Sequence, residues 1–395
     1  MKLFPNTVSG VVSALNDIFE GKYYTDKVIE RTFKSNPKWG ARDRAFVAES
    51  VYEIVRWWRL IRELSPSGDH YHLFGTYWLL QGNHLPDWEE FQGLERTTLM
   101  ERHRRIQERA VLESIPDWLD EMGEGLLGEK WEKELASLNQ QADVVLRVNT
   151  LKTSRDILKQ KLEEQGIQSV IPEGYPEALV LRERKNVFRT PLFKEGLFEV
   201  QDASSQLVAA FLDPQPGMRV IDACAGAGGK ALHLAAMMQN KGKILAMDVE
   251  SWKLKNTKLR ARRAGVSIIE TRPIENNKII KRLKDSADRL LLDVPCSGLG
   301  VLRRNPDAKW KLQPETLHKV QEIQKEILQQ YPLMLKPGGI MVYATCSILP
   351  TENERQVAAF LKSTAGKDFS LLEEKKVLSH ESGYDGFYIA KMIKK

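Results

Sequence analysis

Apolar positions recur at helical spacing through the first third of the chain and then give way to short runs of strand length. Between Ala41 and Leu64, residues Phe46, Val47, Val51, Ile54, Val55 and Trp58 share one helical face, so this segment is predicted as a single helix. Two short helices are expected within Ile115–Gln140. The pattern then changes. Val144–Thr150 (VVLRVNT) alternates like a strand, Ser154–Gly166 reads as a helix opened by a serine cap and closed by glycine, and Ala178–Glu183 is another short strand. Together they read as a small β-α-β module ending near GLFEVQD.

From Gly196 onward strands and helices alternate. Strands are predicted at Arg219–Cys224, Lys243–Val249, Ser267–Arg272, Arg289–Pro295 and Gly339–Cys346, with helices at Trp252–Ala264 and Pro314–Leu335 between them. Such alternation implies a doubly wound, mostly parallel sheet, to which the final GFYIAKMIKK adds an edge strand. Three domains follow: an all-α domain over 1–135, a small α+β module over 136–195, and an α/β domain over 196–395. Seven of the nine tryptophans precede residue 132, and filling the core of the helical domain is favoured over base stacking.

Composition narrows the class. The start, MKLFPNTVSGVV, lacks a charged segment followed by a long apolar core, so no secretory leader is expected. No apolar run reaches the roughly 18 residues of a membrane span. Three unpaired cysteines make no disulfide framework, and neither a CxxC pair nor ligand spacing among the seven histidines suggests a metal. A cytoplasmic setting is expected. Residues 1–150 hold 19 Lys and Arg against 24 Asp and Glu, whereas residues 151–395 hold 40 against 29, net −5 and +11. The basic part suits a polyanion, although a solvated lysine-rich face has the same composition.

VIDACAGAGGKALHLAAMM (Val220–Met238) is a strand, a small-residue turn and a helix. Glycines let backbone N–H groups approach a ligand, and the helix start favours a negative group. The spacing of Gly226, Gly228 and Gly229 is not the dinucleotide fingerprint. Asp248 closes the next strand, where an acid can accept both ribose hydroxyls. A dinucleotide, a mononucleotide, S-adenosylmethionine or no ligand at all remain open from the turn alone. Lys230, directly after the glycines, is either a surface lysine or a partner for a carboxylate in the site.

All three cysteines fall at carboxyl ends of predicted strands: Cys224, Cys296 in DVPCSGLG and Cys346 in YATCS. Singly, each reads as a small core residue; jointly, they line the edge where open α/β sheets bind ligands. A thiol, an acid and an adenosyl-type cofactor fit methylation at C5 of a pyrimidine. Thiolate addition at C6 makes C5 nucleophilic, and Asp293 is positioned to assist at N3.

DACAGAGGK, DVPCSGLGVLRRNPDAKW and YATCSILPTENERQV together resemble the Sun/RsmB family of S-adenosylmethionine-dependent RNA cytosine-5 methyltransferases. EGLFEVQDASSQLVA and LRVNTLK are similar to the same family, so the likeness spans about residues 115–395. RDRAFVAESVYEIVR resembles the NusB-like RNA-binding domain that precedes the catalytic core in that family. The resemblance implies a class I Rossmann-like methyltransferase domain behind an RRM-like module, with S-adenosylmethionine as cofactor. It implies that Cys346 is the nucleophile, that Cys296 assists product release or acts as a base, and that Asp293 contacts both cytosine and cofactor. Cys224, Ala225, Gly226, Ala227, Gly228, Gly229 and Lys230 would form the cofactor turn, and Asp248 would take the ribose. Two positions depart from the family. Ala227 replaces a proline, and Arg272 and Pro273 stand where an aspartate reads adenine, which leaves backbone groups or Glu270 for that task.

Six cations fall within Lys253–Arg263, open to RNA contact or to a solvated face. Arg303, Arg304 and Lys230, around the reacting loops, are expected at RNA. The expected substrate is a flipped or single-stranded cytosine, in 16S rRNA in the first place, and the protein is expected to act as a monomer without metal or membrane. A tRNA methyltransferase is the nearest rival. A DNA cytosine-5 enzyme would leave the TCS cysteine without a role, and a non-catalytic RNA-binding assembly factor would leave Asp293, Cys296, Cys346 and Lys230 unexplained.

Overall fold

The computed structural model describes residues 2–395, which divide into two units: the chain up to Gln140 with Leu302–Leu312, and Gln141–Val301 with Gln313–Lys395. The first unit is helical. Its opening helix, Pro5–Phe19, starts on a proline and buries Val8, Val11, Ala14, Leu15 and Ile18, a helical stripe. These meet Val47, Val51, Ile54, Phe74 and Trp78 in one core. The helix predicted over Ala41–Leu64 is two helices, Ala41–Arg56 and Trp58–Leu64, broken at Trp57. Just past the break Trp58 stacks on Phe19, with ring centroids 3.5 Å apart. Trp39, Trp58, Trp78 and Trp131 are all buried, in keeping with the core-filling reading.

Leu302–Leu312 belongs to this helical unit although the chain on either side belongs to the other. Thr25 N–H donates to Asp307 Oδ2 (2.9 Å), Trp310 Nε1 to the Val55 carbonyl (2.7 Å), and Arg56 Nη2 to the Arg303 carbonyl (3.0 Å). Lys309 is 1% exposed and donates to Asn139 Oδ1 at 2.9 Å. Burial, reinforced by the Arg56 charge, pushes its amine well below the usual lysine range.

In the second unit, β1 (Val145–Val148), β2 (Ser169–Val170), β3 (Ala178–Leu181) and β4 (Phe198–Val200) form a sheet in the order β2-β3-β1-β4. The predicted strand, helix and strand are all present; the short β2 is added between the helix and β3, and every pairing is antiparallel. The helix Arg155–Glu164 covers it, with Ser154 as N-cap accepting from Ile157 N–H.

The larger sheet contains β5 (Arg219–Asp222), β6 (Lys243–Asp248), β7 (Ile269–Pro273), β8 (Ala287–Asp293), β9 (Leu335–Thr345), β10 (Phe369–Val377) and β11 (Phe387–Lys394). Their order is β10-β11-β9-β8-β5-β6-β7, with β5 to β9 parallel and the last two antiparallel. Ile221, Leu290, Leu292 and Tyr343 pack on one face, and Val220, Ile244, Leu291 and Val342 on the other. Burial on both faces is why these strands read as unbroken apolar runs. The C-terminal strand β11 is interior, not an edge. The edge is β10, whose central residues are exposed and include Glu373, Glu374, Lys375 and Lys376. A charged edge of this kind resists pairing with another chain and carries no apolar alternation to read. The helix predicted over Pro314–Leu335 ends at Gln330 and tightens into a 3-10 turn containing Pro332, because proline lacks the N–H that an α-helix needs. Crossovers run from β5 towards β6 and β7 on one side and from β8 to β9 on the other, so the strand order reverses between β5 and β8. A ligand crevice is expected there, outside the carboxyl ends.

Candidate active site

The chain leaves β5 at Asp222 and turns through Ala223–Gly228 into the helix Gly229–Met237. Gly228 has φ 80°, and a Cβ there would lie 2.6 Å from Thr257 Cγ2, so both backbone and packing require glycine. The turn is pinned from several sides. Ala225 N–H donates to the Met247 carbonyl (2.8 Å), Gly226 N–H to Asp248 Oδ2 (2.8 Å), and Arg260 Nη1 to the Ala227 carbonyl (3.0 Å). Arg147 of β1 donates to the Gly229 carbonyl at 2.7 Å, which ties the small module to the turn.

Asp248 ends β6 and is 8% exposed; its Oδ1 accepts from Glu250 N–H at 2.8 Å. With one backbone donor on each oxygen, the carboxylate keeps lone pairs for a diol. It borders a cleft of about 410 Å³, a size suited to a small cofactor. Asp248, Glu250, Lys253 and Asn277 make the polar side, and Val294, Pro295, Ile323, Ile327 and Tyr331 the apolar side. An apolar slot facing a ribose acceptor suits a nucleoside.

Beside the cleft, Lys230 Nζ donates to Asp293 Oδ2 at 2.6 Å and lies 5.1 Å from the centre of the Phe387 ring. Burial opposes the charge on Lys230, but Asp293 outweighs it and the lysine pKa is raised. Below them Asp222 is fully buried; desolvation, then the Asp293 charge, pushes its carboxyl up to about 7. Cys224 is likewise pushed up, by burial and then by the carboxylates of Asp222, Asp293 and Asp248. Such a thiol is an inert wall, not a nucleophile.

Cys296 follows β8 and Cys346 follows β9, neighbouring parallel strands, and their sulfurs are 3.2 Å apart. The Cys296 thiol is held well above its usual range by its hydrogen bond to Cys346, by burial, and by the charges of Cys346 and Glu352. The Cys346 carbonyl accepts from Gly300 N–H at 3.0 Å, so the two loops are also joined through backbone.

Residues 209–393 match the family model described as 16S rRNA methyltransferase RsmB/F, and residues 115–188 match the ferredoxin-like domain of RsmF/B-like methyltransferases. A Synechocystis protein named "Probable ribosomal RNA small subunit methyltransferase B" is 33% identical, over 96% of this chain and 97% of that one. The chain belongs to the RsmB/F family of 16S rRNA methyltransferases. The ribosomal RNA small subunit methyltransferase B of Proteus mirabilis is 36% identical over 76% of this chain and 70% of its own. A crystal structure of a methyltransferase homolog protein from Pyrococcus horikoshii superposes with a TM-score of 0.64. It is 29% identical and covers 72% of this chain and 97% of that one. The Rossmann-like methyltransferase core, the ferredoxin-like module and the family read from the motifs all stand.

Within this RsmB/F architecture, Cys224, Gly226, Asp248 and Asp293 line the cleft, while Ala225, Ala227, Gly228 and Gly229 shape the turn and Lys230 pairs with Asp293. Glu270 does not line it; the side chain pairs at the surface with Lys243 (2.6 Å) and Arg272 (3.2 Å). Asn277 takes the place beside the cleft instead, four residues past the end of β7. Arg303 is 6% exposed and Arg304 half-buried, both in the segment that belongs to the helical unit. Of the six cations on Ser251–Ala264, Lys253 pairs with Glu250, and Arg260 and Arg263 pair with Glu199. Lys255, Lys258 and Arg262 are exposed and have no ion pair among the described residues. Sequence reasoning missed Asn277, the apolar wall from Pro314–Gln330 and Glu352. Of these only Glu352 left a trace, as an acid within the TENE run after the TCS motif.

Proposed function

We propose that this chain methylates C5 of a cytosine in small-subunit rRNA, with S-adenosylmethionine as methyl donor and Cys346 as nucleophile. The observation that carries this reading is the pair of thiols 3.2 Å apart, at neighbouring strand ends, beside the Lys230–Asp293 pair. The cleft fits the cofactor: Asp248 has acceptor capacity for a ribose, and Gly226, with φ 54°, brings bare backbone to the cleft wall. When bound, the cofactor supplies an electrophilic methyl group.

The chain's own residues do the rest. Cys346 Sγ adds to C6, forming an S–C6 bond and leaving C5 electron-rich. Asp293 with Lys230 governs the pyrimidine edge. As an ion pair the carboxylate accepts from the exocyclic amine, and Lys230 holds it in place against the pyrimidine edge. After methylation the C5 proton leaves to a solvent-borne base, the C5–C6 double bond re-forms and the Cys346 sulfur departs as thiolate. The Cys296 thiol, kept protonated by its surroundings, is the donor that meets it. A base role for Cys296 would need the thiolate that burial and Glu352 oppose.

RNA contact is assigned to Lys255, Lys258 and Arg262, to Lys230 nearer the reacting loops, and to Arg304 on the helical unit. Arg303, mostly enclosed, contributes through the segment it anchors. Labelled cofactor incubated with small-subunit rRNA and, separately, with tRNA tests the reading. Label as 5-methylcytosine in rRNA, lost in Cys346→Ala, supports it; label confined to tRNA overturns the substrate assignment.

A further inference from the structure

Behind the two cysteines lies a buried acid that the chemistry above does not use. Glu352 is fully buried and makes no ion pair with any described residue. Four neutral donors converge on it. Oε1 accepts from Ser297 N–H (2.8 Å) and Gln324 Nε2 (3.0 Å); Oε2 accepts from the hydroxyls of Ser297 (2.5 Å) and Ser347. That fills the four acceptor positions of a carboxylate. Ser297 directly follows Cys296, and Ser347 directly follows Cys346.

The same junction extends further. Gln324 also donates to the Pro295 carbonyl (2.9 Å), on the other side of Cys296. Tyr343 OH donates to the Glu352 carbonyl (2.7 Å), and Asn353 Nδ2 to the Ser347 carbonyl (2.9 Å). Thr345 Oγ1, just before Cys346, donates to Asn353 Oδ1 (2.5 Å). Residues flanking both cysteines therefore end in one buried knot centred on a single carboxylate.

An amide could take up the same space and most of the same hydrogen bonds. An unpaired buried charge is costly, so a role for the charge itself is the economical explanation of why an acid stands here. The groups facing the thiols are asymmetric. Cys296 is held up by its hydrogen bond to Cys346, by burial and by the charges of Cys346 and Glu352, whereas Cys346 helps raise the amine of Lys230, which Asp293 holds. Cys296 in turn faces Tyr343.

We propose that Glu352 is the positioning residue of the thiol pair: it locks the two cysteine loops into one junction and sets a buried negative charge beside Cys296. Its geometry brings the sulfurs face to face. Its charge leaves Cys296 as the partner that keeps its proton, the form needed to meet the departing Cys346 sulfur. This rests on the two-thiol reading given above.

Full-length protein carrying Glu352→Gln or Glu352→Ala tests it in two ways. Iodoacetamide labelling across pH, with each cysteine followed by mass mapping, needs neither RNA nor cofactor. Glu352→Gln is expected to move the Cys296 labelling profile to lower pH. Single-turnover methylation by Glu352→Ala is expected to fall about 100-fold with KM for RNA nearly unchanged, as for a reacting group displaced by about 1 Å, and Glu352→Gln to recover most of that loss. A Cys296 profile in Glu352→Gln that overlays the wild-type one overturns the inference, and this holds even if the alanine variant does not fold. So does an alanine variant whose methylation matches wild type. Cys346→Ser, assayed alongside, separates the two layers: methylation surviving in that variant sinks the two-thiol reading itself, whatever Glu352 does.

Discussion

The Cys296 and Cys346 sulfurs stand 3.2 Å apart although fifty residues separate them in the chain. Parallel pairing of β8 with β9 sets this, since Asp293 and Ala344 are register partners and each cysteine lies a few residues beyond. A thiolate on one is met by a donor on the other, which is what reversible addition to a pyrimidine needs.

Breaking the Lys230–Asp293 pair should stop chemistry, and from the lysine side it should cost stability as well. Asp293→Asn is expected to lower the methylation rate by about 10²–10⁴-fold, the range for a lost acid–base group, with cofactor affinity changed far less. Rapid-quench methylation alongside calorimetric titration of S-adenosylhomocysteine checks both halves. Lys230→Met, which strands a largely buried carboxylate, should in addition cost about 3 kcal/mol of stability in a denaturant melt.

The nucleoside end of the cleft is tested by binding alone. Loss of the Asp248 acceptor should weaken S-adenosylhomocysteine by about 10–100-fold, as for a hydrogen bond to a charged group. Asn277→Ala should weaken it by a smaller factor, and Glu270→Ala should leave it unchanged, because Glu270 is bound to Lys243 and Arg272 away from the cleft.

Lys309 makes stability depend on pH in the helical unit. Its folded pKa lies below the unfolded value, so the folded state binds fewer protons between the two, and wild-type stability rises with pH until the unfolded lysine pKa of about 10.4 is passed. Lys309→Met removes that dependence. Thermal melts at pH 7 and pH 10 should show the wild type gaining on the variant at the higher pH; parallel curves would refute the linkage.

Exposed Lys255, Lys258 and Arg262 should act as a phosphate-contact strip. Replacing all three by alanine is expected to weaken RNA binding at low salt and to reduce the log–log salt slope by about 2–3, at roughly 0.7–0.9 per contact. A filter-binding salt series reads this directly. Arg260→Ala should instead loosen the cofactor turn, since that guanidinium is spent on Glu199 and the Ala227 carbonyl.

What the sequence revealed follows what leaves a pattern. Strands β5, β6, β8 and β9 were legible because both faces are buried and the runs are apolar; the glycine turn and both cysteine motifs stood out because each is one contiguous run at a strand end. The edge strand β10 was not, because solvent on its exposed stretch permits Glu and Lys at every position. The break at Trp57 carries neither glycine nor proline, and depends on where Trp58 finds Phe19. The reach of Leu302–Leu312 into the helical unit was equally hidden: Asp307, Lys309 and Trp310 look like surface and motif residues until Thr25, Asn139 and Val55 are seen around them. The burial of Glu352 was hidden for the same reason, since the serines that satisfy it sit in two separate motifs.

Denaturing gel analysis of the two cysteine variants with RNA and S-adenosylmethionine tests the central claim most directly. Cys296→Ala should accumulate an RNA-linked species that survives denaturation, because Cys346 still adds but is not helped to leave, whereas Cys346→Ala should form no such species and no 5-methylcytosine. An adduct trapped by Cys346→Ala and absent from Cys296→Ala would contradict the account and exchange the roles of the two thiols.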